Sequence, residues 1–273
     1  MPVGHLEELL ILAKTYPNPS ASHREITCVA AINKNREFRR LFPLPYRYLQ
    51  GDQKFSKWQW ITARIHKASK DHRPESHTID RDSIVPDAII PTSNGWNRRL
   101  EWINDHLYSS PEILEKHRQE KGASFGFIQP TQLLELEISD SDQPDWTEEE
   151  KQKLVHQDGL FDSKEARDKV MLRKLPHDFY YRYECKDEKG IITTWKHKIT
   201  DWEAGALYWN CQRSHGKNWE KPFREKLETE FKNKNILFLL GTMHRFPDQW
   251  LIVAFYYPPK PDISQARQLD LLM

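Results

Sequence analysis

The stretch Asp71-His-Arg-Pro-Glu75, with His77 two residues further on, holds side chains that can act on a phosphodiester. A histidine and a glutamate can serve as base and acid there, and Arg73 can hold a phosphate. A charged turn after a strand explains Asp71, Arg73, Glu75 and His77 equally well. Glu184-Cys-Lys186 has the Glu-x-Lys form that a metal-dependent nuclease strand can carry, but Asp178 lies on the same strand, too close to arrive from a partner strand. Cys185, His197, Cys211 and His215 are candidate zinc ligands, with Cys211 and His215 on one helix face at i and i+4. No Cys-x-x-Cys supports them, so ordinary buried cysteines and surface histidines account for them better, and neither metal nor cofactor is expected. Walker loop, Rossmann glycines, Gly-x-Ser-x-Gly elbow and His-Glu-x-x-His helix are all absent, and 10 glycines leave little material for phosphate-cradling loops.

Binding chemistry is written more clearly than reaction chemistry. Between Asn33 and Arg47 stand Lys34, Arg36, Arg39, Arg40 and Arg47 against a single acid, Glu37. The residues expected to contact nucleic acid are Arg36, Phe38, Arg39, Arg40, Phe42 and Arg47: arginines meet phosphates and aromatic rings stack on bases. A solvated strand edge kept from aggregating by its charge is the alternative. The Cys28-Val-Ala30 strand followed by Phe38, Arg40 and Pro43 resembles the first barrel of uncharacterised prokaryotic dual-OB proteins of defence and mobile-element loci. That resemblance covers about the first 50 residues; it implies a nucleic-acid-binding barrel and supplies no catalytic residues.

At the other end, after Pro258, Pro259 and Pro261, Gln268-Leu-Asp-Leu-Leu272 resembles the peptide by which bacterial polymerases and repair proteins hook onto the β sliding clamp, with Leu272 in place of the usual Phe. Gln268 can hydrogen-bond at a pocket rim while Leu269, Leu271 and Leu272 fill apolar pockets beside Asp270, on a tether that leaves the fold undisturbed. The alternative is that these leucines pack on the protein's own core.

The elements that must position these groups are mostly strands. Leu6 to Ala13 reads as a buried first strand, because Leu9 to Ala13 has no polar face. The strand after His23 is apolar on both parities and therefore central; Asn33-Lys-Asn35 turns it back into Phe38 to Phe42, which puts Phe38, Arg40 and Phe42 on one face. Lys57 to His66 and Thr78 to Val85 read as further strands, a set that curls into a small barrel. A helix is expected from Ser93 or Asn94 to Lys121, broken at Pro111 and ended by Gly122, followed by strands Ser124 to Ile128 and Leu133 to Ile138. The run from Glu135 to Glu150 carries acids and no Lys or Arg, and reads as a linker with a capping box at Thr147. Beyond it come strands Phe179 to Cys185 and Ile191 to Ile199, a helix capped at Thr200, a helix from Trp219 to Phe231, and strands Ile236 to Leu240 and Trp250 to Tyr257.

The expected fold is thus α+β: an N-terminal small β-barrel, OB- or PUA-like, with a helical appendage (1–138), an acidic linker and short helix (139–168), an α+β unit (169–257) and a flexible tail (258–273). Composition agrees with a soluble protein: 38% hydrophobic, 30% charged, mean hydropathy −0.81, and apolar runs no longer than a strand. Three scattered cysteines and the lack of a secretory signal place it in the cytoplasm. A net charge of +1 means that any nucleic-acid contact comes from a local patch. The function expected is a DNA-associated accessory protein recruited to the clamp by its tail. A nuclease is the first alternative, and an interaction module without a nucleic-acid role the second.

Overall fold

The structure is a computed structural model, and it describes residues 4–93, 96–155 and 171–260. The first sheet contains β1 (His5–Lys14), β2 (Asn18–Ser20), β3 (Arg24–Asn33), β4 (Phe38–Leu44), β5 (Gln59–Lys67), β6 (Ser76–Ile79) and β7 (Val85–Ile89). Five of these close into a barrel in the order β1-β3-β4-β6-β5 and back to β1, while β2 and β7 extend from β3 and β5. Within the barrel β4 and β6 run parallel and the other neighbours antiparallel.

The interior is filled by alternate residues of these strands, Leu9, Ile11, Val29, Ala31, Leu41, Ile61, Ala63 and Ile65, closed by Phe55 and Ile84 from the loops. The opposite parity of β1 and β3, with Leu10, Leu12, Ala30 and Ile32, packs on a second sheet. That double burial is why both parities of these strands are apolar.

The second sheet runs β10 (Gln132–Asp140), β11 (His177–Lys186), β12 (Ile192–Ile199), β14 (Trp250–Tyr256), β13 (Leu237–Thr242), β9 (Phe125–Ile128) and β8 (Leu107–Tyr108), in that spatial order. Phe125, Phe127, Leu237, Leu239, Val253 and Tyr256 face the barrel. The other face carries Phe179, Tyr181, Tyr183, Phe238, Leu240 and Phe255 and is covered by two helices. The helices in chain order are α1 (Asn97–Leu100), α2 (Pro111–Lys121), α3 (Glu148–Val155), α4 (Trp202–His215) and α5 (220–232). The covering pair are α4, through Tyr208 and Cys211, and α5, through Phe223, Leu227 and Phe231. Barrel, sheet and helices therefore form successive layers. Each fully buried large apolar side chain in them contributes roughly 1.5–3 kcal/mol. Among the described residues no helix is long and apolar enough to cross a membrane.

Several expectations shift. The helix expected from about residue 93 is a single turn, α1; the regular helix begins at Pro111, whose missing N–H costs nothing at a first helical position, under a Ser110 cap. Gly122 ends it in the left-handed conformation at φ 75°. The strand expected over Thr78 to Val85 divides into β6 and β7 around a 3₁₀ turn at Arg81–Ser83. The acidic run does not begin as a linker, since Glu135, Glu137 and Asp140 lie on β10, in register with β11. The sheets accordingly part between Ile89 and Leu107, whereas the sequence reading puts the boundary after 138. The Thr147 capping box forms in both directions, and α4 is capped by Asp201 rather than Thr200. The tail with Gln268 to Leu272 lies outside the described residues, as does part of the expected linker.

Candidate functional site

Where the second and third strands of the barrel meet the end of β13, a pocket of about 570 Å³ opens. Its barrel wall is Cys28 on β3 with Arg40, Phe42 and Pro43 on β4. The β5–β6 loop adds Lys70, Asp71 and Arg73, the last residue of β13 adds Thr242, and the β13–β14 loop adds Met243, His244 and Arg245.

The face of β4 that carries Phe38, Arg40 and Phe42 is the one the alternation predicts, but most of it is not surface. Phe38 packs against Phe125, Phe127 and His106. Arg40 is 4% exposed, with its guanidinium carbon 3.8 Å from the centre of the Phe125 ring. Only Phe42, at 42%, faces solvent.

Arg40 is an unusual cation, because every hydrogen bond it makes goes to an uncharged acceptor. Nη1 donates to Cys28 Sγ at 3.4 Å, and Nη2 donates to Ser124 Oγ at 2.8 Å and to the Ser124 carbonyl at 3.2 Å. Its Nε is buried with no acceptor. Ser124 is held in turn by Glu75, whose Oε1 accepts from the Ser124 amide at 2.9 Å and from its hydroxyl, so a carboxylate reaches the guanidinium only through a serine. Burial therefore lowers the Arg40 pKa from its ordinary value.

Next to it Asp71 grips Arg73 with both oxygens, at 3.0 and 2.6 Å, and accepts from Ser76 Oγ at 2.8 Å. Burial pushes the Asp71 carboxyl up, yet the bonds from Arg73 and Ser76 together outweigh it and hold the pKa well below the usual carboxylate range. Arg73 Nη1 donates to the Thr242 carbonyl at 2.7 Å, and His244 Nδ1 lies 3.3 Å from Asp71, so the two loops are tied together across the pocket. At the rim, Lys70 and Arg245 form no ion pair with any described residue.

The expected catalytic set is divided by the fold. Asp71, Arg73 and Glu75 gather here; His77 does not. Paired with Leu41, it sits on the interior parity of β6, its Nδ1 2.8 Å from the Glu75 carbonyl, and burial lowers its pKa with Arg39 and Lys67 nearby. A base and acid drawn from His77 and Glu75 thus have no common substrate position. Asp71, spent on Arg73 and Ser76, is poorly placed to accept a further proton.

The remaining hairpin arginines are ion-paired within the protein. Arg39 bonds Glu7 and Glu37, Arg36 reaches Asp105 at 2.7 Å, and Arg47 reaches Glu25 at 2.8 Å. The candidate zinc ligands do not converge either. His197 Nδ1 is 2.9 Å from the Tyr183 hydroxyl, and the Cys185 thiol, buried in the core, is pushed up to about 12. Among the described residues no three His, Cys, Asp or Glu side chains are grouped to hold a metal ion. Lys70, His244 and Arg245 escaped sequence reasoning, although His244-Arg245 within a loop was a visible basic pair.

Residues 106–272, well over half the chain, match the family model described as Domain of unknown function (DUF8757). The chain belongs to this family. Residues 5–105 match a second model, Domain of unknown function (DUF8758). The DUF8757 stretch begins one residue before β8 and contains the whole second sheet, and the DUF8758 stretch contains the whole barrel. The junction pocket is built from both stretches. No curated protein matches the chain.

Proposed function

We propose that this chain is a DNA-associated accessory protein that holds a single-stranded segment in the junction pocket. One observation carries this. The barrel's strand order, with first and fourth strands paired antiparallel and third and fifth parallel, is that of an OB-like barrel, and the pocket lies on its second and third strands beside the loop between the fourth and fifth. In OB barrels that face and those loops bind oligonucleotides. The pocket's chemistry supports the same reading. Phe42 offers a stacking face, Lys70 and Arg245 are cations with no carboxylate partner among the described residues, and the Arg40 charge at the wall favours an anion. The nuclease alternative has less behind it, since Asp71 and Glu75 are both committed to internal partners.

Fluorescence anisotropy with a labelled thymidine oligonucleotide tests this. Phe42→Ala removes one stacking contact, worth about 1–3 kcal/mol, and should weaken binding roughly 5- to 150-fold. Arg245→Ala should weaken it and flatten its salt dependence by about 0.7 in log–log slope. Binding unchanged in both variants removes the pocket as the interface.

The tail delivers that surface. Gln268 to Leu272 has the form of a clamp-binding peptide, and the DUF8757 match runs through it to residue 272.

A further inference from the structure

At the end of β13 away from the junction pocket, a groove of about 970 Å³ opens between the β9–β10 turn and the segment joining α5 to β13. Lys186, Lys232, Lys234 and Lys260 line it, and no aspartate or glutamate does. These lysines come from three separated stretches, the last residue of β11, the end of α5 and its exit, and the segment after β14. No run of basic sequence creates the cluster; the fold assembles it. In a chain with 41 basic and 40 acidic residues, a lining of one sign is a feature of the groove and not of the composition.

Internal compensation is slight. Lys232 has one ion pair, 3.6 Å from Glu228, and Lys260 Nζ donates to the Lys232 carbonyl at 3.1 Å, which ties the Lys260 side chain to the end of α5. Lys186 and Lys234 form no ion pair with any described residue. Like charges gathered in a concave, partly apolar site focus a positive potential that a ligand of opposite charge relieves. Leu133 and Phe231 supply the apolar part, and Thr131 and Asn235 add neutral hydrogen-bonding groups.

We propose that this groove is a second ligand site, separate from the junction pocket, that holds a run of phosphates: the backbone of a nucleic-acid strand or a linear polyphosphate. Lysine ammonium groups are point charges that follow a flexible phosphate chain without demanding one geometry. Carboxylates are met best by arginine forks, and no arginine lines the groove, so an acidic peptide fits it less well.

The experiment uses the full chain and a fluorescein-labelled thymidine oligonucleotide of about 20 residues, titrated over a range of salt concentrations. The variant carries Lys186→Gln, Lys234→Gln and Lys260→Gln, three exposed positions, with its thermal midpoint compared to the parent's; should it unfold, each single substitution is titrated instead. Expected are at least a 10-fold loss of affinity in the triple variant and a salt slope lower by about 2, three single-strand phosphate contacts at roughly 0.7 each. Linear polyphosphate and unlabelled oligonucleotide are then offered as competitors. Displacement by both assigns the site to any phosphate chain; displacement by the oligonucleotide alone assigns it to nucleic acid. Unchanged affinity and slope in the lysine variants overturn the proposal, as does displacement by polyglutamate as effective as by polyphosphate. The Phe42→Ala variant separates the two sites. Loss there with intact binding in the lysine variant leaves only the junction pocket, and the reverse leaves only the groove.

Discussion

Arg40 shows how a residue's role is set by what closes over it. On an open strand it would be one more surface cation; under Phe125 and Ser124 it is a buried charge whose carboxylate lies one serine away. Such a charge is expensive without an anion at hand, which is why it favours an anionic occupant in the neighbouring pocket. His197 makes a sharper case for measurement. Burial pushes its pKa down to about 4. Below its ordinary pKa of about 6.5 the unfolded chain takes up a proton that the folded protein refuses. Its contribution is therefore complete above that pH and is lost as pH falls, by about 3 kcal/mol at pH 4. Asp201, raised to about 6 by burial, acts in the opposite sense over much of this window, favouring the folded state at low pH. Comparison with His197→Gln cancels that shared effect. Urea midpoints at pH 7.5 and 5 should fall more in the parent than in the variant; equal falls would count against a neutral buried imidazole.

Among the elements, β1 and β3 decide the architecture. Over Leu9 to Ala13 and Val29 to Ile32 one parity fills the barrel and the other meets the second sheet, so these segments have no face to offer water. A barrel made as residues 5–105 alone would uncover Leu10, Leu12 and Trp58 together, a patch of the kind that drives association. It is expected to bind a hydrophobic dye and to elute as multimers in size-exclusion chromatography, whereas the full chain does neither; a monomeric, dye-negative fragment would show that the two units fold independently. The helix α5 illustrates a finer adjustment. Phe223, Leu227 and Phe231 are spaced by four, which gains on an α-helical turn and lags on a wider one. The segment Glu225–Thr229 is π-helical, and all three side chains reach the core.

For the whole molecule, the prediction concerns delivery. The proposed clamp peptide follows Pro258, Pro259 and Pro261. Deleting Gln268 to Met273 is expected to abolish co-migration with a bacterial sliding clamp while leaving the thermal midpoint unchanged; co-migration that survives the deletion rejects the tail as the hook. Much of the fold was legible from local pattern alone. The unbroken apolar runs of β1 and β3, the alternation in β4, the Thr147 capping box and the Gly122 helix stop are short-range signals, and each formed where the residues said it would. The helical spacing of Trp96, Leu100 and Ile103 misled, because those apolar side chains pack with the cluster between barrel and second sheet from a single helical turn and irregular backbone. The parity that puts Phe38, Arg40 and Phe42 on one face was legible in the hairpin, and their accessibility was the part that could not be read. Which side chains share a face is legible in the sequence, since alternation is a property of one strand; what covers that face is a contact between residues distant in the chain, such as Arg40 with Ser124, 84 residues apart. Only tertiary structure decided that Arg40 is a wall, that Phe42 is the exposed edge, and that Lys70 and Arg245 line one cavity and four scattered lysines another.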